Sequence, residues 1–167
     1  MDFNAPDIDY GGLSPIIALT GGLVLTLLAG LVGGSRRRQL IVVSFFGLGT
    51  LAAAAGLLIW QWGAHANLVA GALRLDNLAI ASSLIAIASA AFCIPLSWRE
   101  QAFDRPLGPS NHGEFQALVI CSVLGMTMIA QAQNLISFFV ALELLSIPLY
   151  VLCGSHRTRP GSLESGL

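Results

Sequence analysis

The sequence predicts an all-α protein, a polytopic bundle of about five transmembrane helices. Three observations predict it. The 167 residues are 55% hydrophobic and only 10% charged, against about 25% charged in an ordinary soluble domain. The mean hydropathy is +0.76. The few charges are confined mostly to the breaks between apolar stretches, so the bilayer serves as solvent for most of the chain.

The spans follow in order. The first runs from about Leu13 to Leu31, with Pro15 in its opening turn, where a missing N–H costs little. Ser35-Arg36-Arg37-Arg38-Gln39 separates it from a second span over about Leu40 to Trp62, roughly 23 residues or about 34 Å of helix, enough to cross with some tilt. Gly63 to Asn77 reads as a polar-leaning connection. The third span covers about Leu78 to Trp98. A charged loop, Arg99 to Glu114, follows, with Pro106, Gly108 and Pro109 as breakers. The fourth span covers about Phe115 to Ala130. After the short uncharged turn Gln131 to Asn134, the fifth runs from Leu135 to Cys153, with Gly154 placed to cap it. Residues from Ser155 onward are polar.

Alternating the loops between two sides sorts the basic residues. Arg36, Arg37, Arg38, Arg99, Arg105, Arg157 and Arg159 fall on one side, and Arg74 alone on the other. Seven against one is a strong positive-inside bias and puts the N-terminus outside and the tail in the cytoplasm. Trp60, Trp62, Trp98, Tyr10 and Tyr150 sit near span ends, as interfacial aromatics do. The acidic start, with Asp2, Asp7 and Asp9, lacks the basic n-region of a secretory signal.

Several chemistries are excluded. No basic run is long enough for a nucleic-acid groove. Cys93, Cys121 and Cys153 lie within apolar segments without metal-ligand spacing and read as small apolar fillers. His65, His112 and His156 fall in separate connections. Between helices, small residues allow close packing. Gly22, Thr26 and Gly30 form such a face in the first span, and Gly49, Ala53 and Gly56 in the second. Ser82, Ser83, Ala86, Ser89 and Ala90 enrich the third, and Cys121 and Gly125 mark the fourth.

One residue demands chemistry. Glu143 sits near the middle of the fifth span, between Phe138-Phe139-Val140-Ala141-Leu142 and Leu144-Leu145. An ionised carboxylate at that depth costs at least about 2.5 kcal/mol, so an intramembrane acid is a functional candidate by default. Ser146 and Tyr150, at i+3 and i+7, share its face, which should point inward to partners or water. Toward the N-terminus the face is apolar, with Ile136, Phe139 and Val140. Pro148 cannot donate to the carbonyl of Leu144, leaving it open to water or a side chain. An acid near such a defect suits a proton relay; the plainer alternative is a protonated residue that ties helices together. No basic residue lies inside any span, so a cationic partner for Glu143 has to come from elsewhere.

The stretch His112 to Arg157 resembles the fourth and fifth helices of the membrane-embedded, antiporter-like subunits of complex I. The likeness is to subunit N of bacterial NADH-quinone oxidoreductase, called subunit 2 elsewhere. It rests on Gly113-Glu114-Phe115, Leu124-Gly125-Met126 and above all Leu142-Glu143-Leu144-Leu145-Ser146-Ile147-Pro148-Leu149-Tyr150. The resemblance implies a subunit of a proton-translocating oxidoreductase in a bacterial plasma membrane, with other complex I membrane subunits and the lipid bilayer as partners. Glu143 would be the relay carboxylate, paired with a lysine on a later helix, and Ser146, Pro148 and Tyr150 would support it. Flavin and iron–sulfur clusters would lie in other subunits, with no cofactor and no quinone site here.

On that reading, residues 1–12 are extracytoplasmic and 13–98 hold three peripheral helices. Residues 113–153 begin the proton-translocating domain, and 154–167 form a truncated cytoplasmic tail, making the chain an N-terminal fragment without a complete active site. The alternatives are a subunit of a cation/proton antiporter or membrane hydrogenase, or a non-catalytic membrane scaffold.

Overall fold

Asp9 opens the first helix, α1 (Tyr10–Leu31). Its carboxylate accepts the amide protons of Gly11 at 2.9 Å and Gly12 at 3.3 Å, two of the donors a helix start leaves unpaired. The helix therefore begins a turn earlier than its apolar run, and Pro15 lies inside it rather than in its opening turn. The carbonyl that Pro15 leaves without a donor is that of Gly11. It is supplied across the bundle by Gln61 Nε2 at 2.7 Å.

The computed structural model describes residues 9–31, 35–103 and 112–153. The acidic residues Asp2 and Asp7, Arg105, Arg157 and Arg159, His156, the breakers from Pro106 to Pro109, the Gly154 cap and the tail from Ser155 lie outside the described residues. The remaining helices are α2 (Arg36–Trp60), α3 (Asn77–Phe103), α4 (His112–Gln131) and α5 (Leu135–Cys153). All five are long and apolar enough to cross a bilayer. α2 starts four residues before its apolar stretch: the arginines form its first turn, and the exposed Arg37 and Arg38 side chains can reach past the apolar layer. α3 likewise runs five residues past Trp98.

Between α2 and α3 the chain folds into a hairpin instead of an irregular connection. β1 (Ala66–Leu68) pairs antiparallel with β2 (Leu73–Leu75), with Ala66 opposite Leu75, Asn67 opposite Arg74 and Leu68 opposite Leu73. The alternation is that of a half-buried strand: Leu68, Leu73 and Leu75 are buried, while Asn67 and Arg74 are exposed. The turn, Val69–Gly71, has three successive positive φ angles of 48°, 52° and 81°. The hairpin closes one end of the bundle. Leu68 packs against Gly12 of α1, and the Gln133 amide donates to the Ala72 carbonyl at 3.0 Å, tying the hairpin to the α4–α5 turn.

α4 is the centre of the bundle, touching α1, α2, α3 and α5, whereas α5 rests almost entirely on α4. The core is a column of Leu19, Leu51, Leu58, Ile80, Ile94, Ile120 and Val123, capped by Leu68 and Leu75 of the hairpin. Close approach depends on missing side chains. A Cβ on Gly30 would sit 2.7 Å from the Gly113 Cα, and one on Gly22 would collide with Thr50. The face Gly22–Thr26–Gly30 is thus a packing face, as expected. The face Gly49–Ala53–Gly56 meets no neighbour among the described residues: all three are exposed. α2 packs through Val43, Gly47, Leu51, Ala54 and Leu58, all buried, with Leu51, Ala54 and Leu58 entering the column. On α3, Ser83, Ala86 and Ala90 are buried, while Ser82 and Ser89 are exposed and bond to their own helix carbonyls.

Candidate functional site

Asn134 starts α5. Its side chain accepts the Ser137 amide at 2.7 Å and its carbonyl accepts that of Phe138 at 3.0 Å. This cap fixes where the helix begins and so how deep Glu143 lies, at the ninth of 19 residues. Neither end is within easy reach of its carboxylate, and the residues around it are apolar.

The face that α5 turns to α4 carries Ala141, Leu144, Leu145 and Pro148, with Ala141 and Pro148 buried. Glu143 lies about half a turn round the helix from this face. Ser146 and Tyr150 follow it there; Tyr150 is 63% exposed. The expectation that this stripe points inward is corrected within the five helices: it points away from α4. Glu143 is half-buried along its own helix and makes no hydrogen bond or ion pair with the described residues. Ser146 Oγ donates to the Leu142 carbonyl at 2.7 Å. A pattern of three polar residues fixes a shared face but not which neighbour that face meets. Here the larger apolar contact with α4 takes the opposite side.

Pro148 lies on the buried face, across the helix from Glu143 though close to it along the axis. The Leu144 carbonyl that it leaves open is met by a side chain: the Cys121 thiol donates to it, with sulfur and oxygen 3.9 Å apart. One turn further along α4, Gly125 lets the backbones meet. A Cβ there would stand 2.6 Å from the Leu145 nitrogen. Cys121 is therefore a hydrogen-bond donor at the helix defect rather than an apolar filler. The spacing of Cys121 and Gly125 marked a shared packing face, but not this hydrogen bond.

A second polar feature escaped the sequence reading. Ser44 of α2, 3% exposed, accepts hydrogen bonds from Trp98 Nε1 at 2.9 Å and Gln116 Nε2 at 2.8 Å. Trp98 thus anchors α3 to α2 by its ring N–H, besides lying near a span end. His112, assigned to a loop by its polarity, is the buried first residue of α4. At the hairpin end, Gln131 is fully buried, and its amide has no hydrogen-bond partner among the described residues. Among the described residues no three His, Cys, Asp or Glu side chains gather to hold a metal. An open groove between α1 and α4 is lined by Leu23, Leu27, Ala117, Leu118, Cys121 and Glu114 and is apolar apart from its rim.

An up-and-down bundle of membrane-length helices with an acid in the middle of one defines a polytopic membrane protein with an intramembrane ionisable position. No family model matches the chain. Individual relatives do. The chain is 35% identical over 161 residues to NADH-quinone oxidoreductase subunit N of Rubrobacter xylanophilus, covering 93% of this chain and 32% of the relative. It is 33% identical over 166 residues to subunit N 2 of Roseiflexus castenholzii, covering 97% and 31%. It is 32% identical over 164 residues to NAD(P)H-quinone oxidoreductase subunit 2 of Prochlorococcus marinus, covering 96% and 30%. The chain spans about a third of the length of these curated relatives. Over that span it is similar to NADH-quinone oxidoreductase subunit N and to NAD(P)H-quinone oxidoreductase subunit 2.

Proposed function

We propose that this chain is part of a membrane subunit of NADH-quinone oxidoreductase and takes part in moving protons across the membrane as electrons pass from NADH to quinone. The observation that carries the proposal is Glu143. It is a carboxylate at mid-helix, on a face that α1 to α4 leave uncovered, in a chain whose relatives are subunits of that oxidoreductase. Burying a carboxylate at such depth is costly unless it is paired or exchanges its proton. The uncovered face offers it to a cationic partner on another membrane segment, and Ser146 and Tyr150 extend the polar surface toward one end. Other membrane subunits are the natural partners, and flavin and iron–sulfur clusters belong elsewhere in the assembly. The arginine-rich end, with Arg37 and Arg38, faces the cytoplasm and the hairpin faces outward.

The tie-residue alternative has less support among these helices, because Glu143 bonds to none of the described residues. Glu143→Gln in the assembled oxidoreductase tests the proposal. Proton translocation into vesicles should fall several-fold with assembly intact. Normal translocation would sink the relay role, and loss of assembly would favour the tie.

A further inference from the structure

We infer that Cys121 is the positioning residue for the Glu143 turn, an inference that rests on the relay reading above. One missing donor and two contacts converge on one turn of α5. Pro148 removes the backbone donor that would close the Leu144 carbonyl. The Cys121 thiol replaces it at 3.9 Å. Gly125 brings the α4 backbone against Leu145. Leu144 and Leu145 follow Glu143 directly, so whatever fixes their backbone fixes where the carboxylate leaves the helix.

A proline-opened turn has lost a constraint and can bend or rotate. The thiol restores a constraint from the neighbouring helix, and a weak donor does so without closing the turn. Glu143 itself bonds to none of the described residues, so α4 acts on its direction through the α5 backbone, and this turn directly follows it. Cys93 and Cys153 are exposed.

Two experiments test the inference. In the 167-residue chain carrying Cys93→Ala and Cys153→Ala, reconstituted in phospholipid vesicles, Cys121 is the sole thiol. Its infrared S–H band should lie at the frequency of a bonded thiol. Pro148→Ala returns a backbone donor to Leu144 and should move the band to that of a free thiol. A free-thiol band before that change overturns the inference.

In the assembled oxidoreductase, Cys121→Ala should lower protons moved per NADH oxidised several-fold, and Cys121→Ser, which keeps a donor, should restore most of it. Equal defects in Ala and Ser variants overturn the inference, since size rather than donation would then matter. Normal translocation by Cys121→Ala beside a defective Glu143→Gln overturns the positioning role alone. Normal translocation by Glu143→Gln overturns the relay reading beneath it. Where Cys121→Ala fails to assemble, the Cys121→Ser variant and the infrared band decide.

Discussion

Ser44 holds two donors at once, the ring N–H of Trp98 and the amide of Gln116. Removing its hydroxyl leaves both without that acceptor; Gln116 is fully buried while Trp98 is partly exposed, and an orphaned buried donor costs about 1–3 kcal/mol. Ser44→Ala should therefore lower unfolding free energy in detergent by about 2 kcal/mol; a change below measurement error would show that water reaches these groups. Ala70 presents the opposite case. It is exposed at φ 52°, a backbone region that costs an L-residue about 1–2 kcal/mol. Ala70→Gly should stabilise the chain by up to about 1 kcal/mol after the greater freedom of glycine in the unfolded chain is set against it. Glu143 was legible from sequence because a lone acid in an apolar run has no bland surroundings to hide in. Ser44, Gln116 and Cys121 were not. Small polar residues are ordinary in membrane helices, and only the packing shows which of them meet.

Helices and their faces carry the next level. The five spans were readable because apolar length is a direct consequence of bilayer thickness. Their ends were less so: Asp9 and Asn134 set helix starts by capping backbone amides, which hydropathy does not register. The hairpin's signal, Leu73-Arg74-Leu75 with Leu68 before it, was present but spans only a few residues. Small-residue stripes marked faces that α1 and α4 use among the described residues and one on α2 that is uncovered there, because spacing identifies a possible contact and the neighbours choose among them. That distinction can be measured. Gly125→Ala places a Cβ 2.6 Å from the Leu145 backbone, while Gly56→Ala meets nothing within 4 Å. The first should separate α4 from α5 and lower the thermal midpoint clearly; the second should be neutral or slightly stabilising, since alanine is favoured over glycine in a helix interior by up to about 1 kcal/mol. Equal effects would contradict the packing described.

Across the described residues, the arginines that open α2 and the hairpin that follows it lie at opposite ends of an alternating bundle. The proposed orientation predicts that a cysteine at the exposed His65 reacts with a membrane-impermeant thiol reagent added outside intact cells, and that one at Arg37 does not. The reverse pattern would invert the proposal. The uncovered side of α5 has a larger meaning. Leu135, Ile136, Phe139 and Ile147 are each more than half exposed there, beside Glu143 and Tyr150. The apolar side chains suit lipid and protein alike; the half-buried acid among them is what fits a face seated against another membrane segment.

If Glu143 carries protons, one ratio depends on it: protons translocated per NADH oxidised in the assembled oxidoreductase, compared among wild type, Glu143→Asp and Glu143→Gln. The account predicts that Asp, which keeps a titratable carboxyl one methylene shorter, retains a substantial part of the ratio, and that Gln, which keeps the shape without the proton, loses most of it. A Gln variant that assembles normally and holds the wild-type ratio would contradict it.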